Sequence, residues 1–495
     1  MELVKKISLN RLKNFWGEGM EDYRIVVDQS TSGTKVLLFN TFKNIELIDR
    51  IDKTHKQIYP HKGWVEHDPY EIISNVKELI DQMIQKHKLD YTIIKSLSIT
   101  NQRESVVVWD KKTGKTYTNV MVWQCNRGLG ICEELKQRNY EDLIREKTGL
   151  NIDPYFSAPK LKWFFNNNNF SDAELETMAI GTIDTWIIWN LTKGKKFLTD
   201  ISNASRTQLY NINTLAWDSE LTNIFNIPIE SLPEVVDSVY NFGKYREIPI
   251  VSVIADSQSA LLGHSCTDIG DVKATLGTGS SMLLNIGNKN KKNEGGILTT
   301  IAWKKNGETI YALEGAIRSY GDILNWLKDD LDLFDDYNQA SALASSLSNN
   351  CGVYLIPALA GLGAPFWRPD VNASFMGLSR DTNKKHLIRA GFEAMAFQTR
   401  AVIDEFEKDK NIQIKTIKVD GGSTNNEYFM QSLADITKCE IIVSSIEEAS
   451  ALGTLMILEN IIVDEQSFGE RYRPNKSYEN EYKKWEDYIA ILLKK

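Results

Sequence analysis

At 495 residues, and at roughly 100–200 residues per domain, the chain is long enough for two large domains with sizeable cores. Hydrophobic residues make up 42% and charged residues 25%, which excludes a disordered or fibrous chain. The net charge of −8, from 58 basic and 66 acidic residues, supplies no global positive field for a nucleic-acid backbone or an anionic membrane.

Residues 1–22 are polar, basic early and acidic late, with Phe15 and Trp16 between. They read as an N-terminal extension: a frayed tail, a stretch ahead of a true start at Met20, or an amphipathic helix that touches a membrane or partner. The first residues lack the apolar core of a secretory signal, and no run approaches the ~18 apolar residues of a bilayer span, so a cytoplasmic protein is expected. Five cysteines (Cys125, Cys132, Cys266, Cys351, Cys439) form no C-x-x-C pair and read as buried, inert thiols.

From Tyr23 the run Tyr-Arg-Ile-Val-Val-Asp predicts a strand, and Lys35 to Phe39 its hairpin partner, because β-branched and aromatic residues cluster on either side of Gly33. Asp28-Gln29-Ser30-Thr31-Ser32-Gly33-Thr34-Lys35 then combines a carboxylate at a strand's end with four hydroxyls, a glycine and a cation. Such a turn can cradle a phosphate and place Mg²⁺ beside it. A polar β-turn capped by its Asp is the plainer reading of the same residues.

Helical patterns over Tyr70–His87 and Gly130–Lys147 alternate with strand-like runs at Ile93–Thr100 and Val120–Trp123, which predicts an α/β fold. Asn101-Gln102-Arg103-Glu104 follows one strand at once, in the position where open α/β sheets hold ligands. The Arg–Glu pair can donate to and accept from neighbouring hydroxyls of a polyol, or can be a surface salt bridge. Asn166–Asn169 reads as a solvated loop after a helix.

A second strand–turn–strand unit runs from Val272 through Gly277-Thr278-Gly279-Ser280-Ser281 to Ile286, about 250 residues after the first; it suggests two related halves with a boundary near residues 265–272, or is one more of the common hairpins with Gly and Ser turns. Neither a G-x-x-x-x-G-K-[ST] loop nor a G-x-G-x-x-G opening a helix after a strand occurs, so a nucleotide would be held by these turns instead.

The pieces stand in the order found in the FGGY carbohydrate kinases, and in particular in the glycerol kinases among them. The resemblance runs from Tyr23 to Gly453. It rests on Gly63-Trp-Val-Glu-His-Asp-Pro69, Thr100-Asn-Gln-Arg-Glu104, Val122-Trp-Gln-Cys125, Thr148-Gly-Leu150, Asp153-Pro-Tyr-Phe-Ser157, Gly181-Thr-Ile-Asp-Thr-Trp186, Asn203-Ala-Ser-Arg-Thr207, Gly361-Leu-Gly-Ala-Pro365, Val419-Asp-Gly-Gly422 and Ala451-Leu-Gly453.

What the resemblance implies is an α/β protein of two ribonuclease-H-like domains, of the actin and hexokinase type, with an active site in the cleft between them. Residues 23–268 would bind substrate and carry the first phosphate turn; residues 269–495 would bind nucleotide. Arg103, Glu104, Trp123, Tyr155 and Asp256 resemble polyol-binding residues, with Asp256 also the general base. Asp28 resembles the residue that organises Mg²⁺. Thr31, Ser32, Gly33 and Lys35 align with the first phosphate turn, Gly277 and Thr278 with the second, and Gly321, Asn325, Gly422 and Asn426 with further ATP-binding positions. A homodimer or homotetramer follows from resemblance alone.

Two positions depart from the glycerol kinase pattern. Ser257 stands where those kinases carry Gln after the base, and Ser281 stands where they carry an apolar Phe, so the pocket should be wider. Lys35 replaces a frequent Arg and loses its planar fork. The expected reaction is ATP-dependent phosphorylation of a terminal hydroxyl, glycerol to glycerol 3-phosphate. A longer polyol or ketose (erythritol, xylitol, xylulose, ribulose) is the alternative substrate, and a non-catalytic nucleotide-binding sensor the alternative from another class.

Overall fold

A computed structural model describes residues 22–42, 44–290, 296–408, 412–446, 448–459 and 468–494. Apart from Asp22, the expected N-terminal extension lies outside the described residues.

The first half is built on a six-stranded sheet. Its strands are β1 (Tyr23–Gln29), β2 (Gly33–Asn40), β3 (Glu46–Thr54), β4 (Ile94–Asn101), β5 (Lys244–Tyr245) and β6 (Ile248–Ala255), in the order β5-β6-β4-β1-β2-β3. β1 and β2 pair antiparallel, while β1, β4 and β6 run parallel. Ile25, Val26 and Val27 are fully buried, as a strand covered on both faces requires. β3 is the exposed edge and carries Glu46, Asp49, Arg50, Asp52 and Lys53, charges that discourage pairing with another chain.

The second half is built on a seven-stranded sheet of β7 (Val272–Leu276), β8 (Ser280–Gly287), β9 (Leu298–Lys305), β10 (Glu308–Ile317), β11 (Thr416–Asp420), β12 (Glu440–Ser444) and β13 (Phe468–Tyr472), in the order β9-β10-β8-β7-β11-β12-β13. β7 pairs antiparallel with β8 and parallel with β11, which pairs parallel with β12. β1 with β2, β4 and β6 has the same arrangement. The related halves expected from the two strand–turn–strand units are therefore present, and they diverge at the third strand, which is β3 in one sheet and β10 in the other.

The helices that matter for the site are α1 (Pro69–Lys86), α2 (Leu129–Gln137), α3 (Glu141–Thr148), α4 (Ser157–Asn166), α5 (Ile201–Ala204), α6 (Asp256–Gly263), α7 (Tyr337–Ser345), α8 (Glu427–Thr437) and α9 (Ala449–Glu459). α1 starts where Asp68 accepts from the N–H groups of Tyr70 and Glu71, with Pro69 in its first turn. The single helix expected over Gly130–Lys147 is two helices, because Asn139 adopts the left-handed conformation (φ 59) between α2 and α3. The strand expected over Val120–Trp123 ends at Met121. Cys351 is exposed in a turn at φ 50, unlike the other four cysteines, which are buried as expected.

α6 and α9 lock the halves together. A Cβ on Gly263 would lie 2.0 Å from the Ala449 carbonyl oxygen, and one on Gly453 would lie 1.8 Å from that of Ser259, so both crossings need glycine. Ser259 Oγ donates to the Ser450 carbonyl at 2.6 Å. α9 also places Ala451 and Leu455 against Val26, Leu37 and Phe39 of the first sheet. Among the described residues no helix is long and apolar enough to cross a membrane.

Candidate active site

The three parallel strands β1, β4 and β6 end side by side: Asp28 is in register with Thr100, and Thr100 with Ile254. Their continuations therefore present Asp28, Arg103 with Glu104, and Asp256 at one edge of the sheet, the crevice beyond strand C-termini where α/β folds bind ligands. Asp28 is 6% exposed, and burial pushes its carboxyl up to about 7 against the opposing pull of Lys35; Asp256 and Glu448 add to the rise. Asp28 and Asp256 thus lie in each other's field. Lys35 Nζ is 3.8 Å from Asp28 and 2.9 Å from Glu448, which also binds Arg50. Asp256, the first residue of α6, keeps a side chain 34% exposed.

Arg103 joins these groups to the opposite half. Its Nε lies 3.5 Å from Asp256 and 3.7 Å from Glu104, and its two terminal nitrogens fork onto Glu314 of β10 at 3.2 and 2.8 Å. Arg206 donates to Glu104 at 2.6 Å and lies 2.6 Å from Glu314. Two guanidinium and two carboxylate groups, all nearly inaccessible, therefore balance each other across the halves. Burial favours a neutral Glu314, yet Arg103 and Arg206 hold it down to about 2. Glu104 adopts φ 59, a left-handed conformation that costs about 1–3 kcal/mol and tends to collect at functional sites.

The motif Asn203-Ala-Ser-Arg-Thr207 is organised from below by Asp200, which caps α5 by accepting from the N–H groups of Ser202 and Asn203. Ser202 Oγ accepts from the N–H of Ala255, one residue before Asp256, at 2.9 Å. The amides of Asn203 and Asn101 exchange hydrogen bonds of 2.9 and 3.2 Å, two residues before Arg103. One buried carboxylate fixes the backbone on both sides of the Arg103–Asp256 contact.

Trp123 and Tyr155 form an adjoining half-buried aromatic wall, with ring centroids 5.3 Å apart. Lys160 is fully buried and donates to the carbonyls of Pro154, Tyr155 and Phe156 at 3.0, 2.7 and 2.6 Å. Burial lowers its ammonium to about 8. The first turn meets this wall, because Trp123 Nε1 donates to Thr31 Oγ1 at 2.9 Å. Ser32 is exposed beside it, and Gly33 opens β2 in register with Thr54 of β3. Ser257 is half-buried in the first turn of α6, its N–H donating to the Asp256 carboxylate. Ser281 follows the second turn and donates to Glu314 at 3.4 Å.

The remaining predicted residues gather on the second sheet. The N–H of Gly321 donates to the Gly277 carbonyl at 3.0 Å, and that of Tyr320 to Thr278 at 2.9 Å. Gly421, at φ 99, packs where a Cβ would lie 2.6 Å from the Leu276 carbonyl oxygen, which brings Gly422 to the same turn. Asn325 accepts from the Tyr337 hydroxyl, and Asn426 donates to Ser341 Oγ at 2.8 Å, so both asparagines meet one face of α7. Ser281, Glu314, Arg103 and Asp256 form a run of contacts from the second turn to the strand ends of the first sheet.

Residues 23–263 match the N-terminal domain of the FGGY family of carbohydrate kinases, and residues 272–458 match its C-terminal domain. The chain belongs to this family. It is 42% identical to glycerol kinase 1 of Thermotoga maritima over 95% of its own length and 99% of that relative, and 41% identical to glycerol kinase of Bacillus subtilis over 96% and 99%. The crystal structure of Plasmodium falciparum glycerol kinase with ADP superposes with a TM-score of 0.89 at 36% identity, over 96% of this chain and 98% of that one.

Sequence reasoning about this FGGY kinase missed Arg206, Glu314, Glu448 and Asp200. Arg206 stands inside Asn203-Ala-Ser-Arg-Thr207, a motif that carried the family resemblance but no assigned role. Glu314 carried a usable signal, a lone carboxylate in the apolar strand Tyr311-Ala-Leu-Glu-Gly-Ala316, which requires a charged partner once buried. Glu448 carried none, since its partner Lys35 is 413 residues away.

Proposed function

We propose that this FGGY kinase transfers the γ-phosphoryl group of ATP to a terminal hydroxyl of glycerol, giving glycerol 3-phosphate and ADP. One observation supports the reading above the rest: Asp256, at a strand's end and still a third exposed, lies beside the Arg103 guanidinium and within the field of buried Asp28. An alcohol is a weak nucleophile, and a carboxylate that accepts its proton as the bond to phosphorus forms supplies what it lacks. Asp256 is that base. Arg103, with Glu104 behind it, orients the polyol hydroxyls, and Trp123 with Tyr155 covers the carbon skeleton.

The first turn, Thr31, Ser32, Gly33 and Lys35, and the second, Gly277 with Thr278, hold the phosphates between them. Gly321, Asn325, Gly422 and Asn426 hold the rest of the nucleotide. Residues 23–268 on this reading form the polyol domain, residues 269–495 form the nucleotide domain, and the reaction runs in the cytoplasm. Among the described residues no three His, Cys, Asp or Glu side chains converge as a metal cage. Asp28 with phosphate oxygens and water fits Mg²⁺, which takes one or two carboxylates rather than an all-protein shell. When bound, Mg²⁺ supplies charge neutralisation on the transferring group.

A second reading, a four- or five-carbon polyol or ketose, is favoured by Ser281, a half-buried hydroxyl on Glu314 where the glycerol kinase pattern has an apolar Phe. ADP release measured with glycerol, erythritol, xylitol, xylulose and ribulose separates the two. Glycerol is expected to give the highest kcat/KM. A tenfold preference for a longer substrate moves the assignment to the second reading, and no stimulation by any of them overturns both.

A further inference from the structure

Two hydrogen-bonded routes join the aromatic wall to the first phosphate turn. The direct one is the Trp123 indole N–H donating to Thr31 Oγ1 at 2.9 Å. The second starts at the Trp123 backbone N–H, which donates to Ser105 Oγ at 3.1 Å; Ser105 Oγ in turn donates to Gln102 Oε1 at 2.9 Å. Gln102 passes the connection on, its Nε2 donating to Gln29 Oε1 at 3.0 Å and to the Ser30 carbonyl at 3.4 Å, and its backbone N–H donating to the Gln29 carbonyl at 2.7 Å. Gln102 and Ser105 are buried, so neither can exchange these partners for water.

Thr31 is held from behind as well. Gln57 Nε2 donates to the Thr31 carbonyl at 2.9 Å, and Gln57 Oε1 lies 2.8 Å from the Nε2 of buried His67. The main chain of Thr31 is thus fixed by the core, while its side chain is fixed by Trp123. Trp123 is itself only half-buried, and its other neighbour is Tyr155.

We propose that the Trp123–Thr31 hydrogen bond, with Gln102 as a positioning residue behind it, makes polyol and nucleotide bind with positive coupling. The inference rests on the reading of Trp123 and Tyr155 as the polyol wall and of Thr31 and Ser32 as a phosphate turn. A polyol seated against the wall removes the indole's freedom to leave Thr31. The turn then meets the nucleotide with its donors already ordered, and the second ligand does not lose that freedom again. By reciprocity the nucleotide tightens polyol binding by the same factor. Phosphates are held for transfer only when an acceptor is present, which limits transfer to water.

The test is calorimetric binding of a non-hydrolysable ATP analogue with Mg²⁺, with and without saturating glycerol. In the parent protein glycerol is expected to tighten the analogue about fivefold or more, within the usual range of coupling between sites. Thr31→Val, which keeps the shape of the side chain, and Trp123→Phe, which keeps an aromatic ring, remove one partner each and are expected to bring that ratio close to one. The double variant should match either single, because both remove the same bond. Gln102→Met is expected to lower the ratio while the melting midpoint stays within a few degrees. An unchanged ratio in Thr31→Val, or effects that add in the double variant, overturns the inference. Glycerol titrated alone distinguishes the two levels. If the parent does not bind it, the reading of the site fails; if the parent binds and phosphorylates it without coupling, only this inference fails.

Discussion

Asp28 and Asp256 are two carboxylates at the ends of β1 and β6, the strands on either side of β4, with different surroundings. Asp28 is buried beside Lys35 and Glu448, whereas Asp256 projects from the first turn of α6. A deeper pair, Asp184 and Asp200, shows what burial without a cation does. Asp184 accepts from Thr182 and Thr199 at 2.5 and 2.7 Å, and burial, with Asp200 adding to it, pushes its carboxyl from the ordinary 3.8 up to about 7. The folded chain then binds more protons than the unfolded one between those values, so this group stabilises at low pH and its contribution is lost as pH rises through about 7. Asp184→Asn should therefore gain stability relative to the parent between pH 4 and pH 8, read as the difference in urea midpoints; a pH-independent difference would contradict the shift. Chemistry-bearing residues at strand ends, such as Asp28 and Arg103, were visible in sequence because polar clusters interrupt apolar runs there. Asp184 and Asp200 were not, since they lie 16 residues apart and only the fold brings the Thr199 hydroxyl and the Asp200 N–H onto the Asp184 carboxylate.

At the scale of elements, both hairpins and the central strands were legible because β-branched runs and polar turns mark them directly. α2 and α3 were merged because apolar spacing continues through Asn139, and only its left-handed backbone separates them. The α6–α9 crossing was also hidden: Gly263 and Gly453 look like ordinary helical glycines until the opposing carbonyls are placed. Gly453→Ala would drive a methyl group into the Ser259 carbonyl, and overpacking of this kind costs about 1–3 kcal/mol. The expected result is a lower thermal midpoint. A midpoint equal to the parent's would mean that the two helices can move apart freely.

Across the whole molecule, the two halves meet through a balanced set of buried charges as well as through apolar packing. Glu314→Gln leaves Arg103 and Arg206 with one carboxylate fewer in a nearly inaccessible set, and breaking a buried pair typically costs about 3–5 kcal/mol. A loss below 1 kcal/mol in chemical denaturation would show that water reaches the set. The two-domain fold could be inferred because the motifs stand in one family's order along the chain; the charges that tie its halves together could not, because Glu314 comes from the second sheet and its partners Arg103 and Arg206 from the first half. The central claim is that Asp256 takes the proton from the acceptor hydroxyl in the cleft between these halves. Its most direct test is the turnover of Asp256→Asn at saturating glycerol and MgATP, with nucleotide affinity measured alongside. Turnover is expected to fall by about 10²–10⁴-fold, the usual contribution of a general base, with nucleotide affinity little changed; turnover within tenfold of the parent would contradict it.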